Sequence, residues 1–244
     1  MFYPITVYTD QLTQDSVDTH QELARLGENR EWDTLIERLA VSKSTVNMVE
    51  LPVKNESPTC SCTPLHYAAE GDAPKKVFER MLHFGALKCL KTSNGETAFD
   101  IGKRKGLDQD ILELIKVPDE VQQNERQIQA MELGLHEVMK YTVGDLFEET
   151  GQVLPQVAVL YENDINKFFF PVPGMYGGFR IRKVRKGIQV DSFVRICGGS
   201  EMRHLIERSD EIQQNEKQIE AMEAGLHEVM KDTVGNLFEE TGQV

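Results

Sequence analysis

The sequence predicts an α+β protein in which an N-terminal α-helical solenoid precedes a duplicated amphipathic helix and a small antiparallel β-rich segment. Apolar residues recur at helical spacing through residues 18–117. Residues 118–153 return almost unchanged as residues 209–244. Residues 154–208, between the two copies, are rich in Val, Ile, Phe and Arg and are divided by Gly, Pro and Asn, as strands and turns are. We therefore divide the chain into a module at 18–117 and a helix–β–helix domain at 118–244.

The net charge of −13 over 244 residues argues against nucleic acid or an anionic membrane surface as the main partner. The sequence contains no apolar run long enough to cross a bilayer and no signal-peptide pattern at its N-terminus. Four cysteines are too few for a disulfide framework in a chain of this length. We expect Cys60 and Cys62 to be reduced thiols in a loop, and the protein to be cytoplasmic, without a metal or cofactor.

The most specific local motif is TPLHYAAEG at residues 63–71. Thr63 is predicted to cap a helix that begins at Pro64, where the missing N–H costs nothing. Gly71 is predicted to take a left-handed turn before a second helix. That second helix is indicated by an apolar ladder: Val77, Met81 and Leu82.

A second unit follows at a similar spacing, in NGETAFDIG at residues 94–102, with Gly106 at its inter-helix turn. Upstream, apolar residues predict another helix pair with Gly27 near its turn: Leu23, Leu26, Trp32, Leu35, Ile36 and Leu39. About three stacked units are the minimum for a stable solenoid. Residues 18–117 therefore suffice for one small domain.

The motif at residues 63–71 resembles the ankyrin repeat, and the distance to Thr97 is close to the 33-residue period of that family. The second unit departs from the pattern, since Ala98 stands where the family has proline and Asp100 where it has histidine. The resemblance implies a stack that recognises a protein partner through turns and inner helices, with His66 hydrogen-bonded between repeats. It implies these binding and structural-motif residues: Thr63, Pro64, Leu65, His66, Asn94 and Gly95.

The two copies of the duplicated segment differ at seven of 36 positions. In the first copy, apolar residues form a narrow seam typical of a coiled coil or a helix pair: Val121, Ile128, Met131, Leu135 and Val138. Two interpretations stay open, namely packing on the chain's own domain and self-association into a homo-oligomer. The copies carry charges of −6 and −7, whereas residues 154–208 carry +4. We therefore expect the acidic helices to face the chain's own arginines.

Five strands are predicted in the β-rich segment, with a hairpin turn at Lys186-Gly187: Gln156–Tyr161, Lys167–Pro171, Gly177–Val184, Ile188–Ile196 and Met202–Glu207. Phe179 and Ile181 alternate with Arg180 and Arg182, which indicates one buried and one solvent-facing side. Two glycine clusters favour tight turns over a ligand cradle, and neither matches a phosphate-binding loop. An alternative ligand site would use these residues: Tyr176, Gly177, Gly178, Arg180, Arg182, Cys197 and His204.

Cys197 and His204 have the side chains of a nucleophile and a base, but no third orienting group is evident, so no catalytic residue is assigned. The sequence therefore favours a non-enzymatic adaptor or scaffold. In this interpretation the solenoid binds a protein partner, and the C-terminal domain supplies association or a second contact. The alternative is a ligand-binding or catalytic β domain that the solenoid targets.

Overall fold

A computed structural model describes residues 14–49, 60–144, 147, 153–162, 164–172, 177–194 and 201–207. The chain divides into two compact units, Met1–Glu207 and Arg208–Val244. The second unit, which contains the second copy of the duplicated segment, lies outside the described residues. Within the first unit the chain is mixed helix and sheet, so the predicted α+β class is confirmed. The predicted boundary between residues 117 and 118 remains a prediction.

The first part of this unit is a stack of three helix pairs, α1–α2, α3–α4 and α5–α6. The bounds of these helices are Gln14–Glu28, Trp32–Val41, Pro64–Glu70, Lys75–His83, Ala98–Lys105 and Gln109–Ile115. Helices α1, α3 and α5 pack side by side in an inner row, while α2, α4 and α6 form an outer row. One hydrophobic core runs between the rows, and its largest members are fully buried: Leu26, Leu35, Leu39, Phe78, Met81 and Ile115.

Reciprocal capping begins two of the inner helices. The Thr97 backbone N–H donates to the Asp100 carboxylate (2.9 Å), and the Asp100 N–H donates back to the Thr97 hydroxyl (3.2 Å). Gly106 ends α5 at the predicted inter-helix turn and takes the left-handed conformation there. The left-handed prediction for Gly71 is wrong: Gly71 has φ −88°, and Asp72 takes the positive φ of 54°. The Trp32 ring packs where a Gly71 side chain would stand.

In the described residues, the second part contains α7 (Asp119–Gln123), α8 (Glu125–Val143), a 3₁₀ helix and four antiparallel strands. The strands β1 to β4 run in sequential order and span Lys167–Val172, Gly177–Val184, Gly187–Val194 and Glu201–Glu207. Val184 pairs with Gly187 across the predicted hairpin turn. Of the five predicted strands, Gln156–Tyr161 is wrong, because Val157–Tyr161 forms a 3₁₀ helix with every residue buried.

Helix α8 covers one face of the sheet. Its seam residues join a core with the 3₁₀ helix and the alternate residues of β1, β2 and β3: Phe168, Phe170, Val172, Phe179, Ile181, Ile188 and Val190. The acidic side chains Asp119, Glu120, Glu125 and Glu137 are exposed. Glu120 pairs with Lys183. The expectation that the first acidic copy faces Arg180 and Arg182 is wrong, because those two arginines alternate with the residues that α8 covers.

The expectation of free thiols at Cys60 and Cys62 is also wrong, because a disulfide joins them. Their Cα atoms are 5.2 Å apart, which is a distance a disulfide can span. Cys89 is a buried free thiol. Among the helices that the structure describes, none combines the length and the apolar character needed to cross a membrane.

Candidate partner-binding surface

The motif residues Thr63 to His66 are all buried. The Thr63 backbone N–H donates to Nδ1 of His66 (3.0 Å), and Nε2 of His66 lies 3.0 Å from the Leu90 carbonyl oxygen. Because a carbonyl only accepts, Nε2 carries the proton and Nδ1 accepts. His66 is therefore a neutral bridge between the start of α3 and the segment that leads into the next unit.

Burial lowers the pKa of His66 from its ordinary 6.5 to about 4, although the Leu90 carbonyl favours the protonated ring. The imidazole is 1% exposed, so it cannot touch a partner. Thr63, Pro64 and Leu65 are equally out of reach. Of the predicted binding residues, these four build the stack from inside.

Asn94 and Gly95 lie instead at the exposed tip of a hairpin loop, residues 91–97. An isolated β-bridge joins Lys91 and Thr97 at its base, and the Thr92 N–H donates to the Glu96 carbonyl (2.9 Å). Gly95 has φ +79°, a conformation that strains other residues. The tip is thus a fixed turn that presents Asn94 to solvent.

Next to this tip, charged side chains from α3, α5 and the hairpin loop form one connected group. Arg104 pairs with Glu96 (3.0 Å) and with Glu70 (3.1 Å), so one guanidinium links the loop to two inner helices. Lys105 also pairs with Glu70 (2.6 Å). We call Glu70, Asn94, Gly95, Glu96 and Arg104 the polar face. Its charges of both signs compensate one another locally.

The segment that precedes the hairpin loop docks on the sheet-bearing part of the unit. The Glu162 carboxylate is 2% exposed and accepts from two successive backbone N–H groups, those of Lys88 (2.9 Å) and Cys89 (2.8 Å). Leu87, Cys89 and Leu90 enter the same hydrophobic core as α8. Burial and the nearby Glu162 carboxylate raise the pKa of the Cys89 thiol well above its ordinary value, which keeps it protonated.

Gln156 completes this docking at Lys91. Its side-chain oxygen accepts from the Lys91 N–H, and its side-chain nitrogen donates to the Lys91 carbonyl, both at 2.8 Å. Sequence reasoning missed Gln156 and Glu162. Their partners lie 65 to 74 residues away along the chain, and no periodicity reports a contact of this kind.

The residues of the alternative ligand site do not come together in the described part of the chain. Tyr176 and Cys197 lie outside it. Gly177 and Gly178 begin β2. A Cβ on Gly178 would collide with the Phe170 carbonyl oxygen and the Pro171 Cα, so this glycine serves close strand packing.

Strand register assigns the remaining residues of the alternative site to two faces of the sheet. His204 pairs with Val190, which belongs to the face that α8 covers. Arg180 and Arg182 belong to the opposite face. There, Arg180 lies over the Phe193 ring (4.4 Å) and Arg182 approaches the buried Asp191 (3.8 Å). These groups therefore do not converge on one ligand.

An open groove lies between the turns that precede α4 and α6. It has a volume of about 520 Å³ and is lined by Asp72, Ala73, Pro74, Lys75, Asp108, Gln109, Asp110 and Ile111. Lys75 and Asp110 pair across it (3.2 Å). Within the described ranges, no three His, Cys, Asp or Glu side chains are grouped as metal ligands.

Comparison with known proteins found no matching family model, no matching curated protein and no matching solved structure.

Proposed function

We propose that this protein is a non-enzymatic interaction protein, an adaptor or scaffold, and that its helical stack is an ankyrin-like module that binds a protein partner. The observation that carries the proposal is the polar face, where an exposed loop tip and two inner helices meet in one fixed surface. Loops that a rigid scaffold holds in place are common sites of recognition.

The charge distribution of the polar face supports a protein partner over a polyanion. Arg104 is matched by Glu70 and Glu96, so the polar face itself offers phosphates no uncompensated cation. The exposed Asn94 adds a donor and an acceptor without charge. A partner with mixed polar groups, such as a protein surface, fits this arrangement.

The buried motif residues support the same proposal indirectly. Thr63 and His66 fix where the next segment leaves the stack, through the bond to the Leu90 carbonyl. Glu162 and Gln156 fix that segment again from the sheet side. The N-terminal base of the loop is therefore held from both the helical stack and the sheet, which reduces the ordering cost of binding a partner.

The test is affinity capture with the full chain, because the segment before the loop is packed into the core under the sheet. Wild type is compared with Asn94→Arg, which places a long cation on the loop tip, and with Lys76→Glu, a charge change on the exposed side of α4. We expect a protein that wild type and Lys76→Glu retain and that Asn94→Arg loses. If no captured protein responds to Asn94→Arg, the polar face is not the binding surface.

The alternative of a ligand-binding β domain lacks a comparable observation. Arg180 and His204 belong to opposite faces of the sheet, and the space beside Gly178 is occupied by the backbone of Phe170 and Pro171. We therefore do not advance it as a second function.

A further inference from the structure

The first copy of the duplicated segment packs on one face of the sheet. We call this face the helix seat, and it is formed by Phe168, Phe170, Val172, Phe179, Ile181, Ile188 and Val190. Five side chains of the first copy are buried there at helical spacing: Val121, Ile128, Met131, Leu135 and Met139. Phe147 adds a sixth and lies near the Phe170 ring. A Cβ on Gly134 would stand 3.2 Å from Ile206, so α8 and β4 approach closely at this glycine.

Two polar contacts fix the helix along the seat. The Val157 N–H donates to the Glu132 carboxylate (2.7 Å), and Nε2 of His136 donates to the Pro155 carbonyl (2.9 Å). These contacts give hydrogen-bond partners to two backbone groups at the start of the 3₁₀ helix, the Val157 N–H and the Pro155 carbonyl. Burying either group without a partner would be costly. The two polar contacts fix the position of the helix, whereas the apolar contacts supply most of the adhesion.

All but one of these contact residues return unchanged in the second copy. Five apolar residues and Gly134 are identical and Val121 becomes Ile: Ile212, Ile219, Met222, Gly225, Leu226, Met230 and Phe238. The two polar anchors are retained as Glu223 and His227.

Of the seven differences between the copies, only the exchange of Val121 for Ile212 falls among the buried contacts of the helix seat. Four of the seven altered positions are exposed in the first copy: Arg126, Gln129, Leu133 and Tyr141. Leu133 and Tyr141 are 68% and 61% exposed and become Ala224 and Asp232, so the largest changes fall where the first copy touches solvent. The retained pattern is that of a segment still matched to this sheet.

We propose that residues 209–244 are a second helix for the helix seat, and that they bind the sheet of a second copy of the chain when that copy's own helix has left it. The described residues contain one sheet, and the first copy already fills its helix-covered face. Residues 209–244 can therefore bind the helix seat of another molecule only after α8 of that molecule has left it. When two molecules each place their second copy on the other's sheet, they form a closed two-fold dimer. Each helix seat then has the same contacts as before.

This inference is independent of the proposed partner binding, since it uses only the sheet and the duplicated segment. Its test compares Leu135→Asp, Leu226→Asp and the double variant in the full chain. A carboxylate at the fully buried Leu135 position excludes that copy from the seat, and Leu226 is the equivalent residue of the other copy. The readouts are the thermal unfolding transition and the mass from light scattering.

We expect Leu226→Asp to remain a monomer with the stability of wild type. Leu135→Asp is expected to keep a cooperative transition and to double in mass, because the second copy of each molecule fills the other's seat. The double variant is expected to lose the transition. A Leu135→Asp protein as unfolded as the double variant would overturn the proposal, and so would one that folds as a monomer.

A peptide experiment tests the same inference in a chain that stays folded. A fluorescent peptide of residues 209–244 is titrated with Leu226→Asp, whose own second copy cannot compete, in mild denaturant that lets α8 leave the helix seat, and is followed by anisotropy. The control is the same peptide with Leu226→Asp. We expect saturable binding that the control weakens by at least about tenfold, because a buried carboxylate opposes seating. Equal binding of both peptides, or none of either, contradicts the proposal.

Discussion

The side-chain amide of Gln156 pairs with both backbone polar groups of Lys91, accepting from its N–H and donating to its carbonyl at 2.8 Å each. This is the pattern that a neighbouring β-strand would provide, supplied here by one side chain. It holds the base of the hairpin loop against the sheet-bearing part of the unit. The helical stack and the sheet are therefore joined through backbone groups as well as through apolar packing.

Gln156→Ala is expected to lower the free energy of unfolding by about 1–3 kcal/mol, because it leaves two partly buried backbone groups of Lys91 without these partners. Chemical denaturation of the full chain measures the change. Gln127→Ala, on the exposed side of α8, is the matched control and is expected to change stability by less than about 0.5 kcal/mol. Equal effects of the two variants would show that the pairing contributes nothing specific.

Glu162→Gln tests the second docking contact with little change of shape. One carboxylate oxygen becomes an NH₂ group, which cannot accept from the Lys88 or Cys89 N–H. We expect a loss of about 1–3 kcal/mol and faster hydrogen exchange at residues 88 and 89. Glu137→Gln, at an exposed position of α8, serves as the control and should alter neither quantity. Unchanged exchange at these two amides would contradict the assigned role.

These contacts mark the limit of what the sequence could predict. The β2–β3 hairpin was accessible, because the turn at Lys186-Gly187 and the alternation of Phe179 and Ile181 with arginines are local signals. The contact between Gln156 and Lys91, which lie 65 residues apart, leaves no local signal in the sequence. It depends on how two parts of the chain meet, and neither part contains that information alone.

The 3₁₀ helix at Val157–Tyr161 shows the same limit within one element. Five apolar residues in succession suit a buried strand as well as a short buried helix, since neither periodicity is visible in so short a run. Tertiary contacts decide between the two forms. The Val157 N–H donates to Glu132 of α8, and the 3₁₀ helix buries all five side chains.

Gly178→Ala is expected to destabilise the fold by about 1–3 kcal/mol, because the added methyl group collides with the backbone of β1 at Phe170 and Pro171. A flexible neighbour could move aside, but backbone atoms in a paired strand cannot do so cheaply. Thermal unfolding measures the effect, and chemical shifts of β1 amides locate it. A variant with wild-type stability would return Gly178 to consideration as part of an open ligand cradle.

Acid is expected to destabilise the protein through His66. Its pKa is about 4 in the folded chain and near 6.5 when unfolded, so the unfolded state binds the proton more tightly. The stabilisation is complete above pH 6.5 and is lost as the pH falls toward 4. Between pH 7.5 and pH 5 this amounts to about 2 kcal/mol. Burial lowers the pKa of His20 as well, which adds to the loss in the same direction.

Denaturation curves from pH 8 to pH 5 for wild type, His66→Gln and His83→Gln separate the contribution of His66 from other titrating groups. His66→Gln keeps a donor for the Leu90 carbonyl but loses the packing of the ring, so we expect it to be less stable than wild type at pH 8. Because it also lacks the ionisable ring, its free energy of unfolding should fall less on acidification. His83→Gln, at an exposed position near the end of α4, is the control for replacing a histidine elsewhere in the chain. If the free energy of unfolding of His66→Gln falls with pH as steeply as that of wild type, protonation of His66 is not the cause of the acid destabilisation.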